Sequence, residues 1–280
     1  MGPIPALGGV GTPDHKGPPL DQILLLPADH RAEAVLAPAL SSSFRVRAVR
    51  HFKDLVSALA TDDPQACILD VFHPPPPIPL DSLKALRRLH PIVALVVASD
   101  FTGREMDLYR LGRMAIDGVI RFETRPSRRE ILGVVDGAIA SALARRVLQA
   151  LAGSIPPLAQ DALRWGIEHA EARPQVSDMA AALALGERGL RREFGTLGVV
   201  SPRTLLIWGR LIRASDLLER DSETVESVAY HLGYATGGAL GKALKRHTGC
   251  SPTDLIKQGG LSRTLQLIKQ HGLLSTRHGR

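Results

Sequence analysis

An α/β domain followed by an all-helical domain is the fold class that the 280-residue sequence predicts. Three observations predict it. Short β-rich runs alternate with helix-like stretches from Asp21 to about Ala150. From 157 to 260 the apolar residues keep helical spacing, and that segment repeats itself at a period of about 50 residues. The composition, 44% hydrophobic and 22% charged, is that of a water-soluble globular protein, and a chain this long is able to bury two cores.

The first twenty residues, MGPIPALGGVGTPDHKGPPL, carry Gly and Pro throughout and read as a disordered tail over 1–20 rather than a signal peptide. No apolar run approaches the length that spans a bilayer. Cys67 and Cys250 lie far apart without metal-ligand spacing, so a cytoplasmic protein with no metal and no other cofactor is expected. The net charge of +7 is concentrated in the C-terminal part: residues 151–280 hold 17 Lys and Arg against 12 Asp and Glu, or +5. A basic surface favours a polyanion, because each neutralised phosphate releases counterions.

In the first domain the predicted strands are 22–26, 44–49, 66–72, 92–98 and 118–122, separated by helices such as HFKDLVSALA and SLKALRRLH. Such alternation implies a parallel sheet covered on both faces, with the chemistry gathered outside the carboxyl ends of its strands. Asp70 lies near that end of the third strand, followed by four prolines at 74–77 that favour a stiff extended loop.

Through PQACILDVFHP the segment 21–125 resembles the receiver domain of bacterial response regulators, which implies a flavodoxin-like sheet with Asp70 at the phospho-acceptor position. In that family an acidic pair after the first strand, a hydroxyl ending the fourth and a lysine ending the fifth support the acceptor. Here Pro27 and Ala28 replace the acidic pair and leave Asp29 one place late; Ala98 stands where the hydroxyl belongs, with Ser99 next; and Arg121 and Phe122 stand where the lysine belongs. Side chains in a strand alternate faces, so a one-residue displacement points a group away. Two roles are open to Asp70: phospho-acceptor, or a carboxylate that caps the strand end and starts the proline loop.

After Pro126 an apolar pattern at helical spacing runs for about 25 residues, through SRREILGVVDGAIASALARRVLQAL. Its length suits a dimer contact, a rigid connection or a helix packed on its own sheet. AGSIPP at 152–157 breaks it, so 126–156 is read as a linking helix.

In the helical domain, 157–260, LRREFGTLGVVSP at 190–202 aligns with LGKALKRHTGCSP at 240–252. Each copy places a short helix, a glycine-containing turn (Gly186, Gly233) and a second helix in the helix-turn-helix order. Ser177 and Thr224 are the expected N-caps of the first helices, and each Ser-Pro pair starts a following helix. A helix over 201–220 joins the copies and holds their second helices at a separation near one turn of DNA, about 34 Å.

Through RLIRASDLLE, VAYHLGY and ALKRHTGCSP this domain resembles the AraC/XylS family of transcription regulators. The resemblance implies tandem helix-turn-helix units that bind double-stranded DNA, with a homodimer and RNA polymerase as further partners. Matched onto the family motif, the first recognition helix offers Arg188, Arg191 and Arg192, and the second offers Thr236, Lys242, Lys245 and Arg246. Arginine's fork suits guanine edges or phosphate. The second helix has Gly237, Gly238 and Gly241 where polar readers are usual. Residues 261–280 read as a basic tail. The expected function is a sequence-specific transcription regulator, non-enzymatic, with a receiver-like domain that is not phosphorylated. The alternatives are a response regulator switched at Asp70 and an interaction module that titrates partners.

Overall fold

The computed structural model describes residues 22–73, 77–114, 116–220 and 223–273; the expected N-terminal tail, most of the proline run and residues 274–280 lie outside them. Five strands, β1 (Gln22–Leu26), β2 (Arg45–Ala48), β3 (Ala66–Leu69), β4 (Ala94–Ser99) and β5 (Gly118–Arg121), form one parallel sheet in the order β2-β1-β3-β4-β5. This is the doubly wound order of flavodoxin-like and receiver folds, whose reversal point lies between β1 and β3. β3 and β4 are buried at every residue, as central strands with both faces covered must be, whereas the edge strand β2 exposes Arg45 and Arg47. α1 (His30–Leu40) and α5 (Arg128–Ala150) cover one face; α2 (Phe52–Thr61), α3 (Leu80–Leu89) and α4 (Glu105–Gly112) cover the other.

An ionic clamp fixes α3 and α5 to the sheet. Asp117, just before β5, accepts from Arg87 Nη2 at 2.6 Å, from the Leu95 backbone N–H at 2.7 Å and from both terminal nitrogens of Arg145. Arg145 Nε also donates to the Pro91 carbonyl at 3.0 Å. The carboxylate is almost wholly buried, so each of these donors replaces water it has lost.

α5 begins at a capping box, Ser127 with Glu130, and runs for 23 residues, about 34 Å. Its first half places Ile131, Val135, Ala138, Ile139 and Ala142 in the core under the sheet, and its second half places Leu143, Ala144, Val147 and Leu148 in the core of the helical domain. The apolar stripe is thus covered within the chain. Of the roles open to it, the helix performs the connection and the packing; the dimer contact loses its motivation.

The helical domain contains α6 (Pro157–Glu168), α7 (Val176–Ala182), α8 (Glu187–Thr196), α9 (Pro202–Leu218), α10 (Val225–His231), α11 (Gly237–Thr248), α12 (Pro252–Lys257) and α13 (Gly260–Leu267). α6 packs on α5 and crosses α9 at two glycines. A Cβ on Gly209 would lie 2.7 Å from the carbonyl carbon of Gly166 and 2.8 Å from its oxygen. Only hydrogen fits there, so the two backbones approach without a side chain between them.

The basic tail expected over 261–280 is corrected for residues 261–273, which begin with α13. Leu261, Leu265, Ile268 and Leu273 are buried in the helical core, the Ser215 and Thr264 hydroxyls meet at 2.7 Å, and the Val200 N–H donates to the Leu273 carbonyl. Leu261, Leu265 and Ile268 stand at helical spacing, a signal that the basic residues between them obscure.

Where α5 meets α9 and α10, Arg213 is 1% exposed and lies 3.4 Å from Glu171 and 3.3 Å from Asp216. Glu171 also pairs with His231 Nε2 at 2.7 Å, and Asp216 with Arg220 at 3.2 Å. Asp136 on α5 faces this cluster; burial, and more weakly the charge of Glu171, raise its pKa against the pull of Arg213.

Two outcomes follow from this packing. Gly209→Ala forces α6 from α9 and is expected to cost about 1–3 kcal/mol in urea unfolding, while Gly189→Ala on α8, where an added Cβ meets nothing within 4 Å, loses no stability. His231 is held above its ordinary pKa because its hydrogen bond to Glu171 outweighs its burial. A raised folded-state pKa contributes stability in full below the unfolded value, near 6.5, and loses it as pH rises through the folded value. Burial pushes Glu171 up, but His231 and Arg213 bring it below its ordinary value, so its share is lost as pH falls through that lowered value. The urea midpoint should therefore fall in the wild type as pH rises above about 6.5 and through the raised His231 value, and fall less in His231→Gln, whose neutral side chain does not titrate.

Candidate nucleic-acid interface

Two helix pairs carry the residues singled out in the helical domain. α7 starts after Gln175, whose backbone N–H donates to Asp178 Oδ2 at 2.8 Å; Ser177, expected as the cap, lies inside the helix. Gln175 is a less common cap residue, which is why the serine two places on drew the assignment. The turn to α8 places Ala184 in the left-handed region at φ 56°, while Gly186 becomes the N-cap of α8 with ordinary backbone. In the second copy the corresponding left-handed position is Gly233, at φ 73°. Thr224 caps α10 through the Ser227 N–H, and Ser201 and Ser251 cap α9 and α12 with proline at the first helical position, as expected.

α8 buries Leu190 and Phe194 against the core, so Arg188, Arg191 and Arg192 fall on its exposed side. Arg191 lies 3.2 Å from Glu187 and Arg192 lies 3.5 Å from Glu193. Both pairs are exposed and hold little energy, so the guanidiniums are readily released to another anion. α11 buries Leu240 and Leu244 and exposes Lys242, Lys245 and Arg246.

Thr236 has a structural role: its hydroxyl accepts the Ala239 N–H and caps α11. Gly237 is likewise explained by packing, since its N–H donates to Glu226 Oε2 at 2.7 Å and a Cβ there would meet that oxygen at 2.5 Å. Gly238 and Gly241 meet no such constraint.

α8, α9 and α11 surround a groove of about 940 Å³. Arg191 enters it from α8, and Lys242, Arg246 and His247 from α11; Arg203 and Arg210 line it from α9, with Leu206 and Ile207 between them. Burial, with the charge of Arg246, lowers the pKa of His247, so the imidazole adds no charge near neutral pH. Arg203 and Arg210 lie on the helix that the repeat marks only as the join between its two copies. Their signal is a seven-residue interval, two helical turns, which places both on one face.

At the carboxyl end of the sheet a second cavity, about 900 Å³, is lined by Asp29, Arg31, Asp70, His73, Asp100, Phe122 and Arg125 among others. Asp70 is 1% exposed. Its Oδ1 accepts the Phe72 N–H at 2.7 Å and the His73 N–H at 3.2 Å, and its Oδ2 lies 3.0 Å from His73 Nδ1. This local turn ends β3 at Leu69, short of the predicted Phe72. Asp29 is occupied as the N-cap of α1, accepting the Ala32 N–H at 2.8 Å. The β3–β4 register pairs Leu69 with Val97 and so brings Ala98 level with Asp70. Ser99 shares the strand face of Leu95 and Val97, and its buried hydroxyl has no hydrogen-bond partner among the described residues. Phe122 fills the wall where a lysine is expected, and Arg121 turns to Glu123 at 2.6 Å.

Residues 179–258 match the family model of a helix-turn-helix domain. That stretch runs from α7 to the end of α12 and contains both helix pairs. No curated protein matches the chain closely enough in sequence to stand as a relative. Among solved structures, the chain is similar to a DNA-binding transcriptional dual regulator from Escherichia coli K-12, at 19% identity over 37% of this chain and 92% of that one, with a TM-score of 0.32. It is also similar to RcsB from Salmonella enterica serovar Typhimurium, solved bound to the promoter rprA in the presence of the phosphomimetic BeF3-, at 16% identity, 66% and 97% coverage and a TM-score of 0.34. Full-length FixJ from B. japonicum is similar at 14% identity, 82% and 98% coverage and a TM-score of 0.33. These likenesses are low, and the fold assignment rests on the strand order and the helix pairs.

Proposed function

We propose that the protein is a sequence-specific, non-enzymatic transcription regulator that binds double-stranded DNA through α8 and α11, with its α/β domain acting as a regulatory domain that is not phosphorylated. The observation that carries this reading is the tandem arrangement itself: two helix-turn-helix units joined by α9, each presenting cations on the exposed side of its second helix. α9 has 17 residues, about 25 Å, which suits recognition helices set in adjacent major grooves. The chain has no helix among its described residues long and apolar enough to cross a membrane, in keeping with a cytoplasmic regulator. RNA polymerase and a second copy of the chain belong to the proposal as further partners, the second copy through a surface other than the covered stripe of α5.

The two units contribute unequally in this reading. Arg188 and Arg191 correspond in the repeat to Gly238 and Gly241, so base reading falls mainly to α8, and Lys242, Lys245 and Arg246 hold phosphates. Binding should be measured on a panel of single-base variants of an operator selected from random duplexes. Arg188→Ala or Arg191→Ala should cost about 1–3 kcal/mol and relax preference at one or two base pairs. Lys242→Ala should weaken all sequences alike. A Lys242→Ala variant that alone changes base preference would reverse these roles.

Phosphorylation of Asp70 is the alternative reading. It needs a metal and a neutralising cation beside the acceptor, and the positions beside Asp70 carry Ala98, Phe122 and an Asp29 already spent on a helix cap. Incubation with acetyl phosphate and magnesium, followed by intact-mass measurement, should give no adduct; an adduct lost in Asp70→Asn would establish the switch instead.

A further inference from the structure

We infer that α9 is itself a DNA-contacting element, and that the groove between the recognition helices seats the phosphate backbone joining the two half-sites, with Arg203 and Arg210 each holding a phosphate. The inference rests on the DNA-binding reading and assigns a role to residues which that reading leaves unused.

When two recognition helices occupy adjacent major grooves on one side of a duplex, the stretch between them presents the minor groove and its two flanking phosphate strands. Whatever joins the helices on that side faces those strands. Here the join is α9, and the groove beside it is lined by Arg191, Arg203, Arg210, Lys242 and Arg246 against a single carboxylate, Glu187, already engaged by Arg191. The imbalance calls for an anion.

The state of the two α9 arginines points the same way. Several buried or half-buried arginines elsewhere in the chain are matched to carboxylates, Arg87 and Arg145 to Asp117 and Arg213 to Glu171 and Asp216. Arg210 is half-buried, and its guanidinium lies 5.4 Å from the centroid of the Tyr234 ring and hydrogen-bonds that side chain rather than an acid. A neutral phenol leaves the guanidinium charge uncompensated and the remaining donors open to a second ligand. Arg203, two turns earlier on the same face, is exposed, and no carboxylate lies within ion-pair distance of it among the described residues. Leu206 and Ile207 give the floor an apolar character suited to deoxyribose. Contacts of this kind position a protein on the duplex without reading its sequence.

The test uses the full chain and a 30-base-pair duplex recovered by selection from a random pool, with single-base variants of it, titrated at several salt concentrations. Arg203→Gln and Arg210→Gln should each weaken binding about tenfold at low salt and lower the log–log salt slope by about 0.9. Base preference should be unchanged. Arg210→Lys should keep the slope. Methylphosphonate substitution of the phosphates between the half-sites should weaken the wild type and leave Arg210→Gln no weaker than before. Urea midpoints separate loss of contact from loss of fold; should Arg210→Gln be destabilised, the exposed Arg203→Gln decides. A selective wild type whose glutamine variants retain the full salt slope, or alter base preference, overturns the backbone seat alone. A wild type with no sequence preference overturns the reading on which it rests.

Discussion

The contact at which α6 crosses α9 is made of backbone against backbone, and most of the helical domain takes its geometry from it. Gly209 admits the Gly166 backbone only because Gly209 carries no side chain, whereas a Cβ on Gly166 would meet Leu206 at an ordinary 3.6 Å. α9 bears the spacing between the two helix-turn-helix units, and α6 is packed on α5. The crossing thereby relates the side of the molecule that carries α8 and α11 to the sheet through two helix contacts, with the Arg213 cluster lying alongside. Packed helices with no play between them transmit displacement rather than absorb it.

The asymmetry of the two units has the same physical origin as the crossing, the absence of a Cβ, with a different result. At Gly237 the missing side chain lets α11 approach Glu226. At Gly238 and Gly241 no neighbour requires it. Helix glycines without a packing reason cost conformational entropy and offer no functional group. On α8 the corresponding surface carries arginines. In the proposed function one unit therefore discriminates bases and the other holds position.

Much of this was legible in the sequence. The strand runs were placed to within one to three residues at each end because fully buried parallel strands are written as continuous apolar segments, and the repeat located both helix pairs, with Leu190, Phe194, Leu240 and Leu244 facing inward. The displaced Ser99 and the substituted Phe122 were also readable, since strand parity and position suffice to place them. What escaped detection depended on partners distant in sequence. Asp117 gives no local sign that two arginines converge on it, and the α13 leucines are masked by intervening polar residues. Ala184 replaced a glycine in a left-handed turn, so the turn was looked for two residues late. Arg203 and Arg210 had the right interval, but nothing in an interval tells which face of a helix is open.

The division of α5 between two cores also bears on how such a chain is assembled in evolution. A loop at 152–157 looks like the natural seam between modules, yet the helix contributes to the second core well before it, from Leu143 onward. A recombination event that exchanged the DNA-binding module at that loop would deliver it without Leu143, Val147 and Leu148, and would leave those side chains facing an unfamiliar neighbour. The seam compatible with both cores falls inside the helix, near Ala142 and Leu143, where a continuous helical backbone joins any two halves in a fixed rotational phase. Insertion or deletion of a single residue there turns one domain by about 100° against the other, so the two cores together constrain the length of the helix at this point.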